Sequence, residues 1–189
     1  AIPLFDETKA YDQIPFQFSL HVQREECGEL EHFGYLHKTT EDPRKSVASA
    51  LIDLCGDEGS VVVYNQSFEE SCNNKMAAVL PEYKEGLLQI NERMVDLLIP
   101  FRNRWLYHPN QAGSASIKSV LPAFSSLSYD SMSIADGAEA SIQYQSFMEG
   151  KLNEAEIDSL WQNLSKYCAL DTKAMAELID VLIKKCTES

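Results

Sequence analysis

SVVVYNQSFEE, residues 60–70, is the stretch on which the fold turns. Val61, Val62, Val63 and Tyr64 make a short β-branched apolar run, as in a strand buried on both faces. The run stops at Asn65, and Ser67 is placed to cap a helix whose apolar positions continue through Met76, Ala77 and Leu80. Residues 64–69 then sit at the carboxyl end of a strand, where open α/β sheets carry their sites. The carboxylate of Glu69, one step into the helix, points back over that strand end.

Composition bounds what can surround this turn. A chain of 189 residues suffices for one domain, 1–189, with a real core. Its 44% hydrophobic and 24% charged content is that of a soluble globular protein. No run approaches a membrane span and no basic–apolar–small leader is present, so a cytoplasmic protein with no membrane partner is expected. The net charge of −13 argues against a passive nucleic-acid coat, whose affinity comes from spread basic surface. It is compatible with an enzyme that gathers acids around a metal and a few bases along a phosphate path. The five cysteines, Cys27, Cys55, Cys72, Cys168 and Cys186, lack CxxC spacing. Reduced core thiols are expected rather than disulfides or zinc ligands. The chain starts at Ala1 without methionine and reads as a piece of something longer.

Outward from the central turn, residues 1–14 show no period and read as an arm. Residues 16–23 (FQFSLHVQ) alternate apolar and polar positions, and residues 30–36 form a second strand, giving an antiparallel hairpin. His21, His32 and His37 fall here; without recurring ligand spacing they read as surface histidines rather than a metal cluster. Asp42 and Pro43 start a helix with Val47, Leu51 and Leu54 on its buried face, and Gly56 ends it. After the central turn, residues 83–93 are helical, and residues 94–99 (MVDLLI) form the next parallel strand, with Asp96 interrupting it. Residues 100–113 form a long loop in which Arg102, Arg104, Trp105, Tyr107 and His108 mix bases with aromatics. That mixture suits either single-strand binding or a loop packed by its own rings. Helices follow over 114–123 and 135–147, with Asp136-Gly137 as a turn or cap. Lys118 is either close to a phosphate at a helix start or simply an exposed helical lysine.

The last third is the strongest helical signal. Ile157, Leu160, Trp161, Leu164 and Cys168 recur at helical spacing, and Met175, Leu178, Ile179 and Leu182 continue the stripe. Asp171 lies on it, one turn after Tyr167. An acid inside an apolar stripe costs free energy unless it is paired, hydrogen-bonded or bound to a cation. The bland alternative is that Asp171 caps a second helix beginning at Thr172.

Two resemblances rest on these residues. Tyr167-Cys168-Ala169-Leu170-Asp171 resembles the Tyr-x-x-x-Asp third motif of DEDD-type 3′–5′ exonucleases, tyrosine subclass. Residues 64–69 (YNQSFE) are similar to their second motif, with Glu69 where that motif has Asp. In order along the chain, IPLF, IPFQFSLH, VVYNQSFE, RMVDLL, YHP, GSASIKSVLP, SYD, DG and YCALDT resemble a bacterial family known as domain of unknown function 2779, grouped with ribonuclease H-like exonucleases.

The resemblance implies an α/β fold: a ribonuclease H-like mixed sheet, hairpin first and then parallel strands, with helices on both faces. It implies a divalent-metal-dependent 3′–5′ exonuclease hydrolysing phosphodiester bonds at DNA or RNA ends. Asp171 and Glu69 would hold Mg²⁺ or Mn²⁺, and Tyr167 would orient or deprotonate the attacking water. Asn65, Lys118, Arg102 and Arg104 would contact nucleic acid. Such enzymes place two ions about 4 Å apart on carboxylates from separate elements. The first motif, Asp-x-Glu on a central first strand, is expected before Ala1. Asp6 and Glu7 are adjacent, would face opposite ways on a strand, and do not substitute for it. A further nuclease-like region upstream in the same parent protein is a candidate partner. The competing reading is a catalytically inactive ribonuclease H-like domain that binds nucleic acid or protein.

Overall fold

The computed structural model describes residues 5–9, 12–25, 28–130, 132–134 and 136–188. Cys27, most of the IPLF block and the first residue of the helix expected at 135 lie outside the described residues.

The architecture is mixed α/β. Its elements run β1 (Gln17–Gln23), β2 (Leu30–Leu36), α1 (Arg44–Cys55), β3 (Val61–Val63), α2 (Gln66–Val79), α3 (Lys84–Glu92), β4 (Met94–Asp96), α4 (Leu98–Arg102), α5 (Ile117–Phe124), α6 (Gly137–Met148) and α7 (Glu154–Thr187). β1 and β2 pair antiparallel, with Gln17 opposite Leu36 and Gln23 opposite Leu30. β3 and β4 pair in parallel, Val61 beside Met94 and Val63 beside Asp96.

Where one mixed sheet was expected, the four strands among the described residues form two separate two-stranded sheets. The reason is reach. The hairpin is set by its local turn and alternation, whereas joining the pairs needs edge contacts between distant segments that no local pattern specifies. The strand expected over 94–99 also ends early. The Asp96 carboxylate accepts the Leu98 N–H at 2.9 Å, which turns the chain into α4.

Alternation along β1 decides its packing. Phe18, with Tyr35 of β2, packs on the cluster of Val47, Ala48, Met76, Ala77 and Leu87 from α1, α2 and α3. Ser19 and His21, on the opposite face, meet Thr172 of α7. Helices therefore cover both faces of the hairpin.

α7 is the spine of the molecule. Asn153 and Glu156 cap its start reciprocally, and no Gly or Pro interrupts its 34 residues. Its early turns put Leu160, Leu164 and Tyr167 into a core with Ile134, Ala140 and Tyr144. Its later turns put Leu178 into another with Leu97, Phe101 and Val120, against which Val62 and Tyr64 pack. Asp171 lies between these two cores in unbroken helix, which removes the reading of Asp171 as the cap of a new helix.

Candidate functional site

The site forms where the end of β3 and the start of α2 meet the middle of α7. The turn after β3 is held by backbone geometry and one acid. Asn65 adopts a left-handed conformation (φ 80°), in which Asn is among the few tolerated residues. Its N–H donates to Asp96 Oδ1 at 3.0 Å, so Asp96 ties together the ends of β3 and β4. The cap residue is Asn65, not Ser67: α2 begins at Gln66, and the Ser67 hydroxyl bonds back to Asn65 Oδ1 at 2.9 Å. Glu69 follows in the first turn of α2 and is half-buried.

Asp171 comes from the opposite side and is also half-buried. The Tyr129 hydroxyl donates to Asp171 Oδ1 at 2.7 Å, and Tyr167, one helical turn earlier, adds its polar group to the field around the same carboxylate. Lys118, in the first turn of α5, sets its ammonium over the rings of Tyr129 and Tyr167, 5.6 and 5.5 Å from their centroids. Cation–π attraction holds it there, beside the Asp171 charge. Of the expected residues, the structure thus brings Glu69, Lys118, Tyr167 and Asp171 together, with Asn65 in the adjoining turn. Arg102 ends α4 and Arg104 lies in the turn that follows, both exposed and apart from this group.

Tyr129 was not among the expected site residues, and it makes the shortest contact to Asp171. It stands in a segment without hydrophobic period, 42 residues before its partner. The only sequence signal was its place in the quoted Ser-Tyr-Asp block.

Burial and like charge dominate the electrostatics. Burial raises the Glu69 carboxyl, and repulsion from Asp171 raises it further. Burial also raises Asp171, against the opposing pull of Tyr129, Lys118 and Tyr167. Both phenols are pushed above their ordinary range, first by burial and then by Asp171. Cys168 adjoins both acids and is pushed up to about 12, chiefly by burial, so its thiol stays protonated and unreactive at neutral pH. A cation or a proton between the two acids would relieve their repulsion.

The donor set suits a hard cation. Two carboxylates from separate helices, without an imidazole or thiolate pointed to the task, favour Mg²⁺ or Mn²⁺ over zinc. Among the described residues, no group of three or more His, Cys, Asp or Glu is disposed to hold a metal ion. His21, His32 and His37 do not form one cluster. His37 is buried and bonded with Ser46, Thr39 and the Glu41 carbonyl, while His21 and His32 stack across the hairpin. Cys55, Cys72, Cys168 and Cys186 are free thiols, as expected. No helix among the described residues is long and apolar enough to cross a membrane.

A family model described as "Domain of unknown function (DUF2779)" matches residues 1–116, which include Asn65, Glu69, Arg102 and Arg104. "Uncharacterized protein MG366" of Mycoplasma genitalium is 30% identical over 98% of this chain and 31% of its own length. Its homolog in Mycoplasma pneumoniae is 31% identical over 74% of this chain and 23% of its own length. The chain therefore spans less than a third of the curated relatives it matches. No solved structure matches the chain.

Proposed function

We propose that this chain, which belongs to the DUF2779 family, is part of a divalent-metal-dependent 3′–5′ exonuclease acting on DNA or RNA ends. The observation that carries the reading is the shared, part-buried site of Glu69 and Asp171, whose carboxyls repel each other while Tyr129 donates to Asp171 and the Lys118 charge favours its ionised form. Mg²⁺ or Mn²⁺ held by these two acids would lower the pKa of a bound water and neutralise charge on the scissile phosphate. A cation there also reverses the local electrostatics, since both acids would then be stabilised as carboxylates.

The chain's own residues have separable tasks. Glu69 and Asp171 would hold the ion. Tyr167, with its phenol pushed upward, keeps its proton near neutral pH and orients the water through its hydroxyl rather than deprotonating it. Tyr129 fixes the rotamer of Asp171. Lys118 offers its ammonium to a phosphate oxygen, and Asn65, Arg102 and Arg104 hold the strand that carries it. The finer ribonuclease H-like arrangement belongs to the same proposal. A further strand would join the two pairs, and its Asp-x-Glu would supply the remaining acids.

A second reading, a non-catalytic binding domain on the same fold, draws on the two-acid site. A domain that only binds nucleic acid or protein needs no third carboxylate, and none is disposed there among the described residues.

The test is the whole natural protein that contains this chain, assayed on end-labelled single-stranded DNA and RNA with Mn²⁺ or Mg²⁺. Asp171→Ala is expected to lower the rate by about 100-fold or more, and Tyr167→Phe less. Wild-type protein that is folded, loaded with Mn²⁺ and unable to shorten either polymer would leave the binding reading.

A further inference from the structure

One surface outside the carboxylate site has a composition unlike the rest of the chain. No Asp or Glu stands between Asp96 and Asp130, although 29 of the 189 residues are acidic. The same stretch holds Arg102, Arg104, His108 and Lys118. Both of its ends are fastened at the site. Asp96 holds the Asn65 turn, and Tyr129 donates to Asp171. An acid-free, basic segment thus leaves the carboxylates and returns to them.

Within it, the turn at 102–107 presents aromatic rings to solvent from a fixed backbone. Phe101 is 1% exposed, and Leu106 packs on the same core, so both sides of the turn are anchored. Between them the backbone closes tightly. The Asn103, Arg104 and Trp105 N–H groups donate to the carbonyls of Ile99, Phe101 and Pro100 at 2.9, 3.1 and 2.9 Å. Arg104 takes a left-handed conformation (φ 57°) in this turn. Trp105 nevertheless remains 72% exposed and Tyr107 43% exposed, with the Arg104 guanidinium 5.8 Å from the Tyr107 ring centroid. Leaving an indole in water forfeits apolar burial that a loop packed by its own rings would have gained. Exposed rings on an ordered turn, flanked by guanidinium groups and free of acids, match the chemistry of unpaired bases and their phosphates.

We infer that the 102–107 turn is a binding site for single-stranded nucleic acid. Trp105 and Tyr107 stack successive unpaired bases, and Arg102 and Arg104 hold the intervening phosphates. The inference rests on the proposed nucleic-acid function for the polymer but not on catalysis. It deepens that reading by selecting unpaired over duplex strands, since a duplex offers phosphates to the arginines but no free base faces to the rings.

The test is binding by the whole protein without divalent metal, so that no cleavage intervenes. Fluorescence anisotropy with a short oligothymidylate at low salt is expected to give an affinity at least about tenfold above that for a matched duplex. Trp105→Ala should weaken single-strand binding by about 5- to 100-fold and leave duplex binding unchanged, whereas Trp105→Phe should retain most of it. Arg104→Gln should weaken binding and flatten its salt dependence by about 0.7 in log–log slope. Far-UV circular dichroism of each variant separates loss of binding from loss of fold. Equal single-strand affinity in folded wild type and Trp105→Ala would overturn the inference. So would equal affinity for duplex, or binding of an acidic polypeptide in place of oligonucleotide. Binding without metal-dependent cleavage would leave this site standing while the nuclease proposal fell. Cleavage indifferent to Trp105 would do the reverse.

Discussion

Asp171 and Thr172 are neighbours in α7, yet they face polar clusters of opposite character. On the Thr172 side every group is bonded. His32 Nε2 is 2.9 Å from Ser19 Oγ, which is 2.8 Å from Thr172 Oγ1, which is 2.8 Å from His21 Nδ1. The protons can run from His32 through Ser19 and Thr172 to His21 or in the reverse order, and either assignment serves all three bonds. On the Asp171 side two acids repel each other, and their donors offset burial only in part. A satisfied network fixes a fold, whereas an unsatisfied one stores free energy for a ligand. The difference teaches which face of α7 holds the hairpin and which is the site.

The sharpest way to break this contrast is to substitute the two neighbours in turn. Thr172→Val keeps the shape but leaves Ser19 and His21 short of a partner. It is expected to cost about 2 kcal/mol, within the range for orphaning a buried polar group. For a chain of this length that lowers Tm by roughly 4–8 °C. A thermal melt in which Thr172→Val matched wild type would make the hairpin network ornamental and the contrast empty.

Asp171→Asn should move stability the other way, by a smaller amount. The amide still accepts from Tyr129 through Oδ1, while the repulsion with Glu69 disappears. Without metal at pH 7 a gain of about 1 kcal/mol is expected, the common size of a relieved functional strain. The sign of its pH dependence follows from the raised carboxyls. The folded wild type holds these protons more tightly than the unfolded chain does. The stabilisation from them is present below the ordinary carboxylate range and is lost as pH rises through the raised values. The advantage of Asp171→Asn should therefore be largest at neutral pH and shrink as pH falls toward about 4. Urea titrations at both ends of that range measure it. A variant less stable than wild type at pH 7 would place Asp171 among structural residues.

These two neighbours also mark how far the sequence could be read. Asp171 was legible because an acid in an apolar stripe is anomalous by itself, and the helical period located it. The Val61–Glu69 turn was legible because a β-branched run followed by a cap and an apolar period is a local signal. Leu30–Leu36 was legible in full for the same reason. Tyr129 was not, because its role depends on a contact 42 residues away that no period encodes. Thr172 and Ser19 were not, because an ordinary Thr and Ser become a network only when α7 lies across the hairpin, 153 residues apart in sequence. The separation of the sheet into two pairs lies beyond sequence for the same reason: pairing between distant strands leaves no mark on either one.

The smallest effect concerns the satisfied cluster itself. His21 is lowered first by burial and then by the positive charges of His32 and Lys173. Its ring lies 4.6 Å from that of His32, tilted by 30°, so a proton on His21 meets a neighbouring imidazole. The folded protein thus holds this proton less tightly than the unfolded chain. The stability from neutral His21 is present above the ordinary histidine range, near 6.5, and is lost as pH falls through it. The slope is bounded by one proton, about 1.4 kcal/mol per pH unit. Acidification then works on the two faces of α7 in opposite directions. It loosens the hairpin as pH falls below the ordinary histidine range, and it relieves the carboxylates as they take up protons. Thermal melts of wild type and His21→Asn from neutral pH downward should converge. Curves that stayed parallel would mean that His21 is not the group titrating, and that the Thr172 cluster is insensitive to the proton.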